Sequence, residues 1–414
     1  MKKTLIITIL FLKIWPSYCQ VWENTGGGFD NTVYSLIEYK NFYYAGGRYI
    51  FKNWDGGKWN NLTRPFGLDY ILTFAIFNDT LYCGGNNQNS LYSTVYKLSG
   101  TNWIEVGKFG GQSHRQTNKL FVFKEQIISG GYFTNDDLNL VSWDGKTWNK
   151  LGNGLNGPIY YLAEYQGYLF ASGHFSASGG DTTIQEIAKW DGKDWLPFAS
   201  THKFNKGHDK PIVSFNNLLL IGNVWDTIQG TPMLGIAVWD GKTFTSRGNN
   251  LLHDVNSFWI FNNELYLCGN IYTLQPHSYS NVVLKWNGFF WEQVGLDFNE
   301  TIWVIGDFNK QLYCGGQFKS PHPYIAKLNP IAKTSEVKKQ ANFKFYPNPS
   351  VNQITFNSTD IGMLSISNQL GQIIYSTFIS NNLTPIATDN FPKGIYVITF
   401  ETRMMKTSSK LIIQ

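Results

Sequence analysis

Cysteine is scarce in this chain of 414 residues, which contains only four. Three of them, Cys83, Cys268 and Cys314, follow residue 19, and each lies in or beside the Gly-rich end of a predicted strand. An odd number of cysteines argues against a disulfide framework. We therefore interpret them as buried thiols that pack as small hydrophobic groups. The sequence indicates no metal site and no cofactor.

Charge is scarce as well, since Asp, Glu, Lys and Arg make up 15% of the chain. Residues 20–330 contain 23 Lys and Arg against 25 Asp and Glu, so this long stretch is slightly acidic. A protein that binds nucleic acid needs a basic surface to neutralise phosphates. The composition therefore predicts no nucleic-acid partner.

Long hydrophobic runs are missing too. The apolar run near the N-terminus covers residues 4–12, well short of the about 20 residues that span a membrane. It follows a basic start and precedes small residues just before Gln20, a pattern typical of secretory signal peptides. We predict a signal peptide over residues 1–19, export to the periplasm, and no transmembrane segment in the mature chain. The alternatives are a membrane anchor and lipid attachment at Cys19, although the bulky Tyr18 precedes that cysteine.

Aromatic residues and glycine, in contrast, are abundant, at 16% aromatics and 40 Gly, and no long helical period is present. Aromatic side chains suit half-buried strands, and glycine suits the turns between them. The composition predicts an all-β protein.

An internal repeat organises most of the chain. A hydrophobic run that ends in Gly occurs seven times, and the final Gly residues are 38 to 49 positions apart. Such a period is typical of β-propeller blades. The seven runs are YYAGG (43–47), LYCGG (81–85), IISGG (127–131), LFASG (169–173), LLLIG (218–222), LYLCG (265–269) and LYCGG (312–316).

A second signal, a pair of large apolar residues five positions apart, follows each of the first six runs. Asp-Gly or Asn-Gly lies between the members of most pairs, and this dipeptide between apolar stretches is a strong hairpin signal. Each repeat therefore reads as four antiparallel strands. The pairs are Trp54 and Trp59, Leu98 and Trp103, Trp143 and Trp148, Trp190 and Trp195, Trp239 and Phe244, and Trp286 and Trp291.

The seventh repeat lacks a fourth strand, which the beginning of the chain can supply. Trp22 precedes Val33 by 11 residues, the spacing of Trp148 and Ile159. An N-terminal strand that completes the last blade would close the ring and remove exposed sheet edges. Over residues 20–330 the pattern resembles kelch-type propellers, which implies a seven-bladed β-propeller and no particular activity.

After the repeats, residues 331–341 read as a polar linker and residues 342–414 as a separate domain. Four motifs occur in order in that domain, and together they resemble the type A C-terminal sorting domain of the type IX secretion system. The alternative is an accessory β-sandwich. The matching positions include Tyr346, Pro347, Asn348, Pro349, Gly371, Gly394, Tyr396 and Lys410.

The resemblance implies a small β-sandwich that the type IX secretion machinery recognises and that its sorting peptidase then usually removes. The cargo is either secreted or attached to the outer-membrane surface. On this basis we expect the propeller to act outside the cell.

Candidate ligand-binding residues lie in the connections from strand two to three and from strand four to one. These connections share one face of the propeller, which we call the variable face because their lengths differ most. We expect this face to bind a glycan or a protein, although polar loops and histidines also collect there for no functional reason. The residues are Trp225, Tyr272, His277, Tyr279, His322, Tyr324, His202 and His208.

An enzyme that acts on polysaccharide, either a hydrolase or a lyase, is the alternative function. The chain contains no G-x-S-x-G or H-E-x-x-H motif, and its carboxylates on the variable face are scattered. The sequence therefore assigns no catalytic residue and favours a binding or adhesion module. A purely structural surface component is a third possibility.

Overall fold

The computed structural model describes most of the chain between residues 19 and 414. Described residues form strands and turns and contain no helix, which confirms the all-β class. The predicted signal peptide, except residue 19, and the predicted linker, except residue 331, lie outside the described ranges. These ranges are 19–27, 29–86, 92–110, 115–133, 139–198, 209–224, 227–228, 231–233, 235–247, 254–274, 277–288, 291–331, 343–360, 362–368, 373–379, 383–402 and 406–414.

Among the described residues, thirty strands precede the tail. They are β1 (Cys19–Glu23), β2 (Val33–Tyr39), β3 (Phe42–Gly47), β4 (Ile50–Trp54), β5 (Trp59–Asn61), β6 (Tyr70–Phe77), β7 (Thr80–Asn86), β8 (Tyr92–Ser99), β9 (Asn102–Gly110), β10 (Gln116–Phe123), β11 (Gln126–Tyr132), β12 (Leu140–Trp143), β13 (Trp148–Lys150), β14 (Ile159–Tyr165), β15 (Tyr168–Gly173), β16 (Ile187–Trp190), β17 (Trp195–Pro197), β18 (Ile212–Phe215), β19 (Leu218–Val224), β20 (Thr227–Ile228), β21 (Thr231–Pro232), β22 (Gly235–Trp239), β23 (Phe244–Ser246), β24 (Val255–Phe261), β25 (Glu264–Leu274), β26 (His277–Trp286), β27 (Trp291–Phe298), β28 (Ile302–Phe308), β29 (Gln311–Gly316) and β30 (Ile325–Ile331).

These strands pair antiparallel into seven groups of four, and the short hairpin β20–β21 is extra. A single residue pair, Gln116 with Asn86, joins the second and third groups. The first strand of each group lies beside the first strand of the next, and β28 lies beside β2. The groups in the described part of the chain thus close into a ring, which is the arrangement of a β-propeller. The groups are β2–β5, β6–β9, β10–β13, β14–β17, β18, β19, β22 and β23, β24–β27, and β28–β30 with β1.

The apolar core lies between adjacent groups. Phe123 and Ile128 of the third group, for example, share one buried cluster with Leu162 and Leu169 of the fourth. Side chains along a strand point alternately to the two faces of a sheet, and here a neighbouring sheet packs against each face. The ring therefore buries large aromatic and aliphatic side chains along every interface between blades.

The glycine pairs that end the second strands are required by close backbone approach. A Cβ atom on Gly47 would collide with the carbonyl oxygen of Thr32, and one on Gly85 would collide with that of Tyr70. Only glycine leaves room for the start of the first strand at these points. This contact explains why the repeat carries its Gly-Gly signature.

Strand-four tryptophans fasten several blades to the one before them. Trp148 Nε1 donates to the carbonyl oxygen of Val106 at 2.7 Å, and Trp195 Nε1 donates to that of Leu151 at 3.1 Å. Within a blade, the rings of Trp143 and Trp148 lie 5.2 Å apart across the hairpin. The paired aromatics therefore pack the hairpin and satisfy a buried indole N–H in the neighbouring blade.

Strand β1 completes the last group from the other end of the chain. It pairs with β30 from Cys19 and Ile331 to Glu23 and Lys327. Trp22 is 1% exposed, and its Nε1 donates to the carbonyl oxygen of Val294 at 3.0 Å. Residues 20–23 keep this pairing if the chain is cut before Gln20.

The aspartates of the hairpin turns connect stability to pH. Hydrogen bonds from Asn60 and from the backbone of Lys58 and Gly57 lower the pKa of Asp55 to about 2. Since the pKa in the folded state lies below the ordinary value, the contribution to stability is complete above about pH 4 and is lost as the pH falls towards 2. An Asp55→Asn variant keeps a hydrogen-bond acceptor at this position but has no charge to titrate. We therefore expect its melting temperature to fall less between pH 5 and pH 2 than that of the unchanged protein. An unchanged pH dependence would contradict this assignment.

The described part of the tail forms seven further strands in two antiparallel sheets. The first sheet has the order β31–β32–β35 and the second β34–β33–β36–β37. Phe356 of one sheet and Phe400 of the other belong to a single buried cluster. The strands are β31 (Phe343–Tyr346), β32 (Gln353–Ser358), β33 (Gly362–Ser367), β34 (Ile373–Ile379), β35 (Leu383–Ala387), β36 (Gly394–Thr402) and β37 (Lys406–Ile413).

Candidate functional site

A row of four aromatic rings lies on the variable face, where first strands begin and second strands end. The ring centroids of Trp303 and Tyr34 are 6.0 Å apart, those of Tyr34 and Tyr70 are 6.1 Å apart, and those of Tyr70 and Tyr49 are 6.3 Å apart. Trp303 is 38% exposed and Tyr49 is 46% exposed, whereas the two central rings are partly buried. We call these four residues the aromatic row.

A β-bulge in the first strand positions two members of the row. The register of β2 against β3 shifts between Val33 and Ser35, and that of β28 against β29 shifts between Ile302 and Val304. Tyr34 and Trp303 are the extra residues, and a bulge re-aims the side chain it carries. Burial raises the pKa of Tyr34, so its hydroxyl stays protonated.

Backbone contacts between the first two blades position the other two members. Arg48 forms an isolated bridge with Tyr70, and the Tyr49 N–H donates to the carbonyl oxygen of Asp69 at 2.7 Å. The connection that follows β3 is thus held against the start of β6. Tyr49 and Tyr70 meet because of this pairing.

Two arginines border the row. The guanidinium of Arg48 lies 5.6 Å from the ring centroid of Tyr49 and 5.8 Å from that of Tyr70. The guanidinium of Arg64 lies 5.4 Å from the centroid of Tyr49, and its Nη1 donates to the carbonyl oxygen of Leu68 at 2.7 Å. All three distances are within the range of cation–π attraction.

An open cleft of about 490 Å³ adjoins this end of the row. Tyr49 and Arg64 form part of its lining, together with Phe29, Asp30 and Lys52. The Lys52 ammonium lies 5.2 Å from the ring centroid of Phe29. Burial lowers the pKa of Lys52, and the nearby Asp30 carboxylate partly offsets that effect. The cleft therefore combines apolar walls with charged groups.

A second polar cluster lies on the same face in the third to fifth blades. Arg115 is buried, and its guanidinium lies 4.6 Å from the centroid of Tyr132. The rings of Tyr160 and His174 are 5.1 Å apart, and His174 Nε2 lies 3.2 Å from Asp209 Oδ1 without hydrogen-bond geometry. Burial raises the pKa of Tyr160, and the charges of Asp209 and Tyr132 raise it further. Its hydroxyl therefore stays protonated at neutral pH.

Five of the eight ligand residues predicted from the sequence have some description in the structure. Tyr272 pairs with Tyr279, and His277 begins the returning strand of the same β25–β26 hairpin, where Tyr279 is exposed. His322 Nε2 lies 3.2 Å from the carbonyl oxygen of Trp22, and Tyr324 packs partly buried on the core between the last and first blades. Tyr272, His277 and Tyr279 thus lie on one hairpin, whereas His322 and Tyr324 border β1. Trp225, His202 and His208 lie outside the described residues.

Sequence reasoning missed the aromatic row because its members do not lie in long loops. Tyr34 and Trp303 are the second residues of first strands, whereas we took candidate residues only from the connections. An aromatic residue at this position recurs in VYSL, IYYL and IWVI and was the available signal. Tyr49 lies in a short connection and Tyr70 begins β6, and the same reasoning passed over both.

The motif residues of the tail mostly hold its last strands in place. Asn348 Nδ2 donates to the carbonyl oxygen of Lys410 at 2.8 Å, and the Ile412 N–H donates to Asn348 Oδ1 at 2.9 Å. The Tyr396 hydroxyl donates to the carbonyl oxygen of Pro392 at 2.6 Å, and Gly394 pairs with Ile413. Tyr346, Pro347 and Pro349 follow or end β31 at the surface, and Gly371 lies outside the described residues.

Two kinds of feature are absent from the described residues. No three His, Cys, Asp or Glu side chains there are grouped closely enough to hold a metal ion. No helix in that part of the chain has the length and hydropathy to cross a membrane.

Comparison with known proteins identifies a sequence family for the tail alone, whereas solved structures resemble most of the chain. A family model described as "Secretion system C-terminal sorting domain" matches residues 344–414. No curated protein sequence matches the chain. Similar solved structures include the extracellular domain of the hybrid two-component system BT4673 of B. thetaiotaomicron. The two sequences are 12% identical, the alignment covers 94% of this chain and 58% of that chain, and the TM-score is 0.51.

Another similar structure is PorZ, described as an essential bacterial surface component of the type-IX secretion system of Porphyromonas gingivalis. It is 12% identical, with 94% of this chain and 60% of that chain covered and a TM-score of 0.46. The chain spans about three fifths of the length of these two structures. At such identities the likeness concerns the fold alone. The chain is therefore a β-propeller protein whose residues 344–414 form a secretion system C-terminal sorting domain, which implies export by the type IX pathway.

Proposed function

We propose that this protein is an exported binding or adhesion module that holds a glycan on the aromatic row of its propeller. The contiguous, solvent-accessible rings of Trp303, Tyr34, Tyr70 and Tyr49 are the observation that supports this function. The C–H faces of sugar rings stack on aromatic planes, and large rigid rings give contact area at low entropic cost. A rigid ring of blades keeps these four planes in fixed positions.

The sorting domain supports the proposed route and location. A signal peptide over residues 1–19 would direct the chain to the periplasm, and the type IX machinery would then carry it across the outer membrane. The sorting peptidase would separate residues 20–330 from the tail at the linker. The propeller would then be secreted or remain attached to the outer-membrane surface.

An enzyme that acts on polysaccharide is the alternative function, and the cluster of Tyr160, His174 and Asp209 is where its chemistry would lie. A lyase or hydrolase needs a group that accepts a proton near neutral pH. The raised pKa of Tyr160 does not favour that role. We therefore place binding before catalysis.

Replacing Trp303 with alanine tests the proposal directly. We expect the purified protein to bind at least one member of a broad glycan panel, and Trp303→Ala to weaken that binding about tenfold, since one stacked ring contributes up to about 1.5 kcal/mol. Affinity is measured by titration calorimetry, with product analysis of every glycan that binds.

Tyr168→Ala is the matched control. Tyr168 is also 38% exposed, but it follows a hairpin turn on the opposite face of the propeller. Its loss should leave the affinity unchanged. Equal affinities of Trp303→Ala and the unchanged protein would remove the aromatic row as the site, and cleavage of a bound glycan would favour the enzyme.

A further inference from the structure

We infer that the glycan is acidic, and that Arg48 and Arg64 bind its carboxylate or sulfate groups while Tyr49 stacks on the sugar. This inference rests on the proposed function and specifies the class of its ligand. It depends on three observations: two arginines on one ring, the charge of the adjoining cleft, and the exposure of the Tyr49 ring.

The two guanidinium groups lie on the same ring without a carboxylate partner. Both are within 6 Å of the Tyr49 centroid, and neither forms an ion pair with any residue that the structure describes. Guanidinium groups match the geometry of carboxylate and sulfate oxygens, so a bound anion would supply the partner that both arginines lack.

The charge around the site differs from that of the whole domain. Arg48, Arg64 and the cleft residue Lys52 bring three cations to this surface, where the nearby carboxylates are those of Asp30 and Asp69. Residues 20–330 as a whole carry more acidic than basic side chains. The local excess of positive charge thus stands out from an acidic background and complements an anionic ligand.

The ring of Tyr49 is exposed although its backbone position recurs in other blades. Its φ angle is 56°, in the left-handed region, just before the third strand of the first blade. The corresponding residues Asn139, Glu186 and Tyr324 have φ of 65°, 60° and 64°, so this conformation belongs to the blade. Tyr324 packs partly buried against the core, whereas Tyr49 is 46% exposed. An exposed aromatic ring between two arginines is available to a ligand, so we assign it to the sugar.

A polysaccharide fits this surface better than the other anions that arginine and tyrosine can bind. The row continues from Tyr49 through Tyr70 and Tyr34 to Trp303, which offers successive stacking planes to a chain of sugar rings. Nucleic acid would also stack, but it needs a basic groove along its backbone. An acidic peptide is the remaining competitor and enters the test as a separate probe.

The test compares acidic glycans with their carboxyl-reduced forms, using the full-length protein. The probes are oligomers of polygalacturonate and alginate, each paired with the same oligomer in which the carboxylates are reduced to alcohols. We expect tenfold or greater preference for at least one acidic form. The double variant Arg48→Gln/Arg64→Gln should lose that preference and most of its salt dependence, so that it binds the acidic and the reduced form with equal affinity. A retained preference would contradict the inference.

A second variant, Tyr49→Asn, separates binding from folding. Because asparagine fits the left-handed backbone, we expect an equal or higher melting temperature together with at least a tenfold loss of affinity for the acidic glycan. A fall in both would show that Tyr49 supports the fold and would overturn its role here.

The outcomes distinguish this inference from the proposed function. If reduced and acidic forms bind equally and Trp303→Ala weakens both, the protein binds glycans and the acidic specificity is wrong. If no glycan of either kind binds, both are wrong. Binding of poly-glutamate in the absence of any glycan binding would also overturn both, in favour of an acidic protein ligand.

Discussion

Replacing Trp22 with alanine is expected to destabilise the protein by about 3–5 kcal/mol, the usual cost of removing a buried aromatic side chain. Trp22 is 1% exposed and packs its ring edge against Phe298 at a centroid distance of 5.4 Å. Its indole N–H donates to the carbonyl oxygen of Val294. The substitution therefore leaves a cavity and removes the indole donor from the carbonyl oxygen of Val294. Both effects fall on the blade in which the two ends of the ring meet.

Urea unfolding followed by tryptophan fluorescence measures this effect, with Glu23→Ala as the control. Glu23 lies on the same strand, but its side chain contacts Asn329 and Lys327 at the rim, so its loss should cost less than 1 kcal/mol. If Trp22→Ala unfolds within about 1 kcal/mol of the unchanged protein, β1 does not close the ring in solution.

Removing the charge of Glu186 is the second change with a large expected effect. Glu186 and Lys210 form an ion pair of 3.1 Å, and their side chains are only 8% and 1% exposed. Loss of one partner leaves an uncompensated buried charge, which costs about 3–5 kcal/mol. We expect Glu186→Gln, which keeps the size of the side chain, to lower stability by about 3 kcal/mol.

The exposed pair of Lys40 and Asp79 supplies a matched control. Its charged atoms are 3.0 Å apart, but the side chains are 55% and 82% exposed. Asp79→Asn should therefore cost less than about 1 kcal/mol by the same unfolding measurement. In the fourth blade, the double variant Glu186→Met/Lys210→Met should recover much of the lost stability because it removes both buried charges. Equal costs for Glu186→Gln and Asp79→Asn would show that the buried pair is hydrated in solution.

Much of the architecture was predictable because the repeat encodes local contacts. The glycine at the end of the second strand is required by backbone approach in six of the seven repeats, as at Gly47 and Gly85, so it is visible in the sequence. The strand-four tryptophans have the same property, since Trp148 and Trp195 each bond to the preceding blade. The sorting domain was predictable because its motifs are short and ordered, and the family match confirms it. The kelch-type likeness and the exact domain boundaries stay predictions.

The site was less predictable because it forms across distant parts of the chain. Trp303 comes within 6.0 Å of Tyr34 only when the last blade meets the first, and Tyr70 reaches Tyr49 only through pairing between blades. A β-bulge also changes the direction of the side chain it carries, and the usual alternation of side chains along a strand does not predict that change. Loop length, on which the sequence prediction relied, indicates where a surface varies and carries no information about which side chains meet.

Hydrogen–deuterium exchange of the protein with and without its tightest-binding acidic glycan tests the central claim most directly. The aromatic row and its arginines predict slower exchange in residues 33–35, 48–50, 64–71 and 302–304, with no change in the hairpin turns on the opposite face. Slower exchange confined to the long connections of the fifth and sixth blades, around residues 225–234 and 272–279, would place the ligand elsewhere and contradict the account.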